Sequence, residues 1–486
     1  MIRIVLAATS GLLYAFVFPE FDFWPLAWVF AVPLFFAVDC ATGRESFVLG
    51  LTAGIVAWAG NLYWIAYVLN FYGDMSLLAA AFLLFLFVIY LSLYFAAFAF
   101  MANMFIRSRL ALLVLPGMWV FFELIRSYAL SGFPWSLAGC SQFAWKSLIQ
   151  ISEFGGVYLI SGIILMTNVA LYKLFCKNPK PLVIVLAVLV SCCLWGNWRI
   201  NSWDLDGTTL NAAVVQANIA QERKWLPEMI EPTIEVYSRL TRSVFEQDVE
   251  LVIWPETACN FYLFRQWQPT AKILRLSNET EALLLAGSPA YDEGKYYNRV
   301  WLLKSGTIEG YYDKVHLVPF SEYLPLAWLI EPIFGRLTNE VSDFSSAPEL
   351  APIGEIGVMV CFESVFPGIS RSLCRKGAQY LVNVSNDAWF KTWATPEQHL
   401  RLSAFRTIEN RRWLLRSVNH GISAIISPTG EIIKSIGLLE EGAIVAGMKK
   451  NSSQTFYTRR GAIIAWIWSL LAGIAALTIR WRSANA

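Results

Sequence analysis

The chain has 486 residues, of which 56% are hydrophobic and 15% charged; its formal net charge is +2 and its mean hydropathy +0.49. A soluble globular chain carries about 25% charged residues, so this composition excludes an ordinary soluble protein and points to a membrane protein. The near-neutral charge, without a Lys/Arg tract, argues against nucleic acid as a partner, and eight cysteines and three scattered histidines (His316, His399, His420) give no metal-ligand spacing.

Hydropathy is uneven along the chain. Residues 1–197 are nearly all apolar, 198–458 have ordinary globular composition, and 461–480 are apolar again. The expected organisation is a membrane domain of about seven transmembrane helices (1–197), a soluble domain (198–458), and a final transmembrane helix with a short tail (459–486). Met1-Ile2-Arg3 and the apolar run after it resemble a signal peptide. No small-residue cleavage site follows, so an uncleaved first helix is expected. Apolar segments of roughly spanning length recur at about 4–18, 24–41, 46–70, 76–105, 110–130, 156–175, 182–197 and 461–480.

Loop charge predicts orientation. Arg3, Arg44, Arg107 with Arg109, Lys173/Lys177/Lys180 and Arg480/Arg482 fall at alternate connections, whereas the turns Pro19–Phe23 and Phe71–Met75 carry Glu20, Asp22 and Asp74 and no Lys or Arg. Basic loops stay cytoplasmic, which puts both termini there and the soluble domain across the membrane. Lys449, Lys450, Arg459 and Arg460 run against the rule, from which long translocated domains are largely exempt. Glu123 and Arg126, three apart on one helix, are expected to pair. Gly132-Phe133-Pro134-Trp135 opens an aromatic outer loop.

The soluble domain alternates strand and helix signals. Strands are predicted at Ala212–Val215, Leu251–Trp254, Leu283–Ala286, Val300–Leu303, Tyr311–His316, Val358–Cys361, Tyr380–Val384, Ile422–Ile426 and Ala443–Ala446. Helices are predicted at Glu231–Phe245, Thr270–Leu276, Ile369–Lys376 and Glu397–Leu415, so the domain is α/β with a mixed sheet.

Three residues at strand ends form a coherent set. Cys361 closes Gly357-Val358-Met359-Val360-Cys361 before a helix opened by Pro367-Gly368, where a turn exposes a thiol and nearby N–H groups can hold an oxyanion. Taken alone, the stretch is better explained by a buried structural cysteine. Glu256 lies in Trp254-Pro255-Glu256-Thr257, and Lys314 in Tyr312-Asp313-Lys314-Val315-His316. Each alone reads as a surface charge. Together they suit acyl transfer: a carboxylate to take the thiol proton, an ammonium to stabilise thiolate and oxyanion, and a thiol to form a thioester.

With their flanks, these residues resemble the nitrilase (carbon–nitrogen hydrolase) superfamily, and within it the apolipoprotein N-acyltransferase family. The motifs that carry this likeness include Trp24-Pro25-Leu26-Ala27, Asn61-Leu62-Tyr63-Trp64, Gly132-Phe133-Pro134-Trp135, Val215-Gln216-Ala217-Asn218-Ile219, Asn386-Asp387-Ala388-Trp389-Phe390 and, most specifically, Lys314 to Pro325. The resemblance implies a polytopic α-helical membrane region of about eight transmembrane helices plus an αββα sandwich. It implies Glu256 as general base, Lys314 as oxyanion stabiliser and Cys361 as nucleophile, with Glu322, Glu363 and Trp225 in support. Phe362 stands where such proteins often carry tyrosine and can contribute only packing; Ser321 and Cys140 replace a usual glycine and tyrosine.

The resemblance further implies a phospholipid acyl donor and a diacylglyceryl apolipoprotein acceptor at a bacterial inner membrane, with the catalytic domain periplasmic and no cofactor. Membrane lipids are the surrounding partners; the sequence leaves the oligomeric state open and is compatible with a monomer. Apolar loops at Phe261–Trp267, Pro325–Phe334 and Phe390–Trp393 are expected to form an acyl-chain or membrane-facing surface. Two alternatives stay open: a membrane-tethered amidase acting on small C–N substrates, and a non-catalytic lipoprotein-binding scaffold.

Overall fold

Strict alternation along the strands of the α/β region explains its layers. Ala212 and Val214 face one side of their strand and Ala213 and Val215 the other, and all four are fully buried. A strand buried on both faces needs cover on both, and the structure, a computed structural model, supplies it. It describes residues 1–73, 75–203, 209–323, 344–390 and 392–484, with the side chains of 482–484 left out. By their contacts, these fall into two units: Met1–Tyr67, Ser76–Ser202 and Arg460–Ala486 form one, Val68–Met75 and Trp203–Arg459 the other.

The second unit holds two sheets. Eleven strands are described: β1 (Leu210–Gln216), β2 (Leu251–Ile253), β3 (Leu283–Asp292), β4 (Lys295–Lys304), β5 (Thr307–Asp313), β6 (Ile356–Val360), β7 (Tyr380–Ser385), β8 (Leu414–Val418), β9 (Ser423–Ile426), β10 (Ile432–Ile436) and β11 (Gly442–Met448). One mixed sheet runs β11-β1-β2-β3-β4-β5 and the other β10-β9-β8-β7-β6. Between them Val214, Ile253, Leu285 and Val300 meet Val358, Val382, Leu415 and Ile425. The opposite face of the first sheet buries Val252 and Trp254 with Ile234, Tyr237 and Ile273 from helices Ile230–Arg242 and Trp267–Glu279. Helices Pro367–Arg375 and Ala394–Asn410 belong to the second half. Helix, sheet, sheet and helix make the expected αββα sandwich.

Several predicted boundaries move. The helix expected over Glu397–Leu415 ends at Asn410, and Leu414–Val418 is strand β8 instead. Arg411 turns the chain in a left-handed conformation (φ 51°), held where Asn451 Nδ2 donates to its carbonyl (2.7 Å) and its Nη1 donates to Pro428 O (3.1 Å). No glycine marks that stop, so tertiary contacts decide it. Strand β10 has no predicted counterpart; it is an edge strand with Ile433, Lys434 and Ser435 exposed. The strand predicted over Val358–Cys361 stops at Val360, and that over Tyr311–His316 stops at Asp313, which leaves Cys361 and Lys314 each one residue past a strand end.

The first unit is helical. Among the described residues, five helices are long and apolar enough to cross a membrane: Gly43–Leu62, Leu77–Phe105, Val157–Phe175, Lys180–Asn201 and the last, from Ile463. Ile2–Phe16 and Ala111–Arg126 are shorter. The segment expected at 24–41 is broken into a 3₁₀ turn (Trp24–Trp28) and a helix (Val32–Val38). A break needs its backbone groups satisfied in an apolar setting. Buried Asn168 does this, donating to Ala27 O (3.0 Å) and accepting from Ala31 N (2.8 Å). Gly54 lets its helix approach Leu77–Phe105, since a Cβ there would sit 2.7 Å from Ser92 Cα.

Glu123 and Arg126 do not meet as the expected ion pair. Glu123 accepts from Trp119 Nε1 (2.9 Å) and Ala138 N (2.8 Å), whereas Arg126 donates to Phe133 O (2.8 Å) and Trp135 O (2.7 Å). Both fasten the 133–138 loop, so their helical spacing serves loop anchoring rather than mutual pairing.

If the sheet-to-sheet core carries the stability of the α/β unit, Leu415→Ala should lower its unfolding free energy by about 2–5 kcal/mol, whereas Lys434→Ala on exposed β10 should change it by less than about 0.5 kcal/mol. Chemical denaturation of the full chain in detergent, followed by tryptophan fluorescence, measures both.

Candidate active site

Glu256, Lys314 and Cys361 lie beyond the ends of β2, β5 and β6, so the two facing sheets deliver them to one end of the sandwich. Lys314 is 1% exposed. Its Nζ donates to Glu322 Oε1 (2.9 Å), and lies 2.8 Å from Glu322 Oε2 and 3.7 Å from Glu256 Oε1. Asn298 on β4 ties the carboxylates together, its Nδ2 donating to Glu256 Oε1 (2.7 Å) and Glu322 Oε1 (3.2 Å). Glu256 Oε2 accepts from Asn386 N (3.1 Å) just past β7.

These charges shift one another. Burial works against the Lys314 ammonium, but Glu322, Glu256 and Cys361 outweigh it and hold its pKa above the usual lysine range. Glu256 is raised from the ordinary carboxylate value, first by burial and then by Glu322, with Lys314 opposing. Burial also raises the Cys361 thiol, Glu256 adds to the rise, and Lys314 offsets part of it. The resting state is therefore a thiol beside an ammonium and a carboxylate, which suits proton transfer during attack rather than a standing thiolate.

Cys361 begins a 3₁₀ turn (Cys361–Val365) with φ 51°, a left-handed conformation that is costly for a residue with a side chain. Neighbouring groups hold it there. Its carbonyl accepts from Ser364 Oγ (3.0 Å) and Asn383 Nδ2 (3.3 Å) and lies 3.2 Å from His399 Nε2. His399 Nδ1 is 3.0 Å from Asp387 Oδ1, and Arg416 donates to Asp387 Oδ2 (2.7 Å) and to Asn383. Burial opposes ionisation of Asp387, yet Arg416 and His399 bring it down to about 2, so it stays charged.

The supporting residues divide. Glu322 orients Lys314, and Val318 N also donates to it (2.8 Å). Glu363 accepts from Val360 N (2.7 Å), Val315 N (2.8 Å), His316 N (2.9 Å) and Tyr312 OH, thereby joining the Lys314 segment to the end of β6. Burial raises it to about 6 despite those donors. Phe362 packs edge-on against Phe366, ring centroids 5.0 Å apart. Trp225 is 48% exposed on the turn after Gln221–Lys224.

The expected lipid-facing loops fare differently. Phe261 and Leu263 are buried in the helix-side core, contrary to expectation, because the chain there folds under the first sheet; Trp267 and Trp393 are exposed. Pro325–Phe334 lies outside the described residues. Among the described residues no cluster of His, Cys, Asp or Glu could hold a metal ion.

Sequence reasoning missed Asn298 and the Asp387–His399–Arg416 network. The signal for Asn298 was parity: it shares a strand face with Val300 and Leu302, which are buried between the sheets. Nothing local betrays the pairing of Asp387 with Arg416, twenty-nine residues apart.

This placement of a carboxylate, a lysine and a cysteine at the end of an αββα sandwich defines a carbon–nitrogen hydrolase domain, and the description "Carbon-nitrogen hydrolase" matches residues 211–457. The description "Apolipoprotein N-acyltransferase N-terminal domain" matches residues 10–170. An apolipoprotein N-acyltransferase of Geobacter metallireducens is 35% identical, over 99% of this chain and 96% of that one; another, of Pseudomonas aeruginosa, is 30% identical over 98% and 94%. A solved carbon-nitrogen hydrolase from Helicobacter pylori G27 is 17% identical and covers 54% of this chain and 94% of its own, with a TM-score of 0.38, too distant to bear on the site. The chain belongs to the apolipoprotein N-acyltransferase family, and it is a membrane enzyme.

Because Asp387 neutralises a fully buried guanidinium, Asp387→Ala should destabilise the fold by about 3–5 kcal/mol. Denaturation as above checks it, and a loss below about 1 kcal/mol would show that Arg416 finds another partner.

Proposed function

We propose that the enzyme moves an acyl chain from a phospholipid, through a thioester on Cys361, to the N-terminal amine of a diacylglyceryl lipoprotein. The observation that carries this reading is the buried Glu256–Lys314–Glu322 cluster beside the strained Cys361 turn. In the first half, Glu256 takes the Cys361 proton as sulfur attacks the ester carbonyl. The tetrahedral oxyanion forms beside Lys314, whose charge Glu322 secures. Collapse breaks the ester C–O bond; the leaving lysophospholipid alkoxide takes the proton from Glu256, and the acyl group stays on sulfur.

In the second half the acceptor amine attacks the thioester carbonyl and Glu256 accepts its proton. Collapse breaks the C–S bond, an amide forms, and sulfur recovers the proton from Glu256. No outside reductant, metal or nucleotide is required, because the ester and then the thioester carry the acyl group's reactivity.

Loop charge supports an orientation with both termini cytoplasmic and the catalytic unit on the opposite, periplasmic face of a bacterial inner membrane. Exposed Trp225 and Trp393 are candidates for substrate contact.

The test uses purified full-length protein, phospholipid labelled in its acyl chain, and a synthetic diacylglyceryl-cysteine peptide. Label should appear on the peptide amine as a hydroxylamine-resistant amide. Cys361→Ala should abolish transfer, and Glu256→Gln and Lys314→Met should each slow it by about 10²–10⁴-fold. Transfer unaffected in all three variants, or acylation by small amides alone, would refute the proposal.

The raised Glu256 pKa has a direct consequence for acidity. A general base must be ionised, so the rate should fall as pH drops through its pKa, with a midpoint above the usual carboxylate value of about 4.3. A pH–rate profile of single-turnover acylation measures that midpoint.

A further inference from the structure

Lys224 is 1% exposed, and among the described residues its ammonium forms no ion pair with a carboxylate. A buried ammonium without a counter-ion is unfavourable and calls for a reason. Its hydrogen bonds supply one. Nζ donates to Thr257 Oγ1 (2.6 Å) and to the carbonyl of Glu256 (3.3 Å), while its own carbonyl accepts from Asn260 Nδ2 (2.6 Å). Lys224 is thus clasped at both ends to the turn that carries Glu256.

That turn is strained. Thr257 has φ 48°, a left-handed conformation that is costly at a β-branched residue. The turn also sits so close to β3 that a Cβ at Gly287 would lie 2.6 Å from Pro255 O and 2.7 Å from Thr257 N. Cys259 N donates to Gly287 O (2.9 Å) on the same side. Gly287 leaves room for the turn, and Lys224 holds it by hydrogen bonds. The next residue is exposed Trp225.

We infer that Lys224 is a positioning residue for Glu256: it fastens the left-handed turn that presents the carboxylate, and it brings a second ammonium, after Lys314, to bear on that carboxylate. The inference rests on Glu256 acting as the general base proposed above. The charged groups that face Glu256 are Lys314 and Glu322 from beyond β5 and Lys224 from beyond β1; the thiol of Cys361 lies beyond β6, and Lys224 itself faces Glu256 and the thiol of Cys259. Burial lowers Lys224 to about 8, with Glu256 partly restoring it, so it is charged at neutral pH and below. A cation beside a carboxylate lowers the carboxylate's pKa, so removing the cation raises it.

The experiment is single-turnover acyl-enzyme formation from phospholipid as a function of pH, in full-length wild type, Lys224→Met, Lys224→Gln and Lys224→Arg. The two neutral variants should move the acid-side midpoint upward by about 0.5–1 pH unit, and Lys224→Arg should leave it in place. Lys224→Gln should retain more of the plateau rate than Lys224→Met, because it still donates a hydrogen bond to the turn. If Lys224→Met fails to fold, the Gln and Arg variants decide. Equal midpoints in every variant, with rates merely scaled down, would reduce Lys224 to packing and overturn the inference. Absence of any acyl-enzyme in wild type would instead overturn the general-base reading on which it rests.

Discussion

A lysine held out of water between two carboxylates is the constraint on which the site depends. Buried ions are unfavourable unless each is paired and hydrogen-bonded. Lys314 satisfies this through Glu322 and Glu256, and Asn298 also bridges the two carboxylates. The arrangement leaves an excess of negative charge around one ammonium. That excess keeps Lys314 protonated, while burial first and Glu322 second make Glu256 more basic than an exposed carboxylate, the two properties an oxyanion stabiliser and a general base need.

The sandwich makes this cluster possible because its strands end together. Glu256 follows β2, Asn298 lies on β4, Lys314 follows β5, Cys361 follows β6 and Asn386 follows β7. No single segment could place five such groups within reach of one another. Two facing sheets with a tight apolar core between them can, since the core fixes their separation and register. Thr257, Phe320, Cys361 and Arg411 have left-handed backbones without being glycine. Around Cys361 and Arg411 the turns are held by hydrogen bonds from distant residues, so their shapes depend on the finished fold.

Much of this was legible in the sequence, for physical reasons that differ by element. The apolar runs of the membrane region follow from hydropathy and the α/β character of the other unit from its strand and helix signals, whereas the αββα layering came with the family resemblance; Glu256, Lys314 and Cys361 stood out as polar residues at strand ends. Three things escaped. Helix Ala394–Asn410 stops without a glycine, because Leu414 and Leu415 are drawn into the β8 strand. Glu123 and Arg126 have the spacing of a helical pair, yet both turn to the backbone of a loop. Nothing in Gln221-Glu222-Arg223-Lys224-Trp225 singles out Lys224, and only the path of the Glu256 turn explains its burial. In each case the partner is far along the chain, where local pattern carries no signal.

The central claim is that the acyl group rests on Cys361 between the two half-reactions. Its most direct test is peptide mass spectrometry of the purified enzyme after incubation with phospholipid and no acceptor. The account predicts a single acyl mass increment on the peptide containing Cys361, removed by hydroxylamine and absent from Cys361→Ala. An unmodified Cys361 in an enzyme that still acylates added lipopeptide would contradict it, since transfer would then proceed without the thioester.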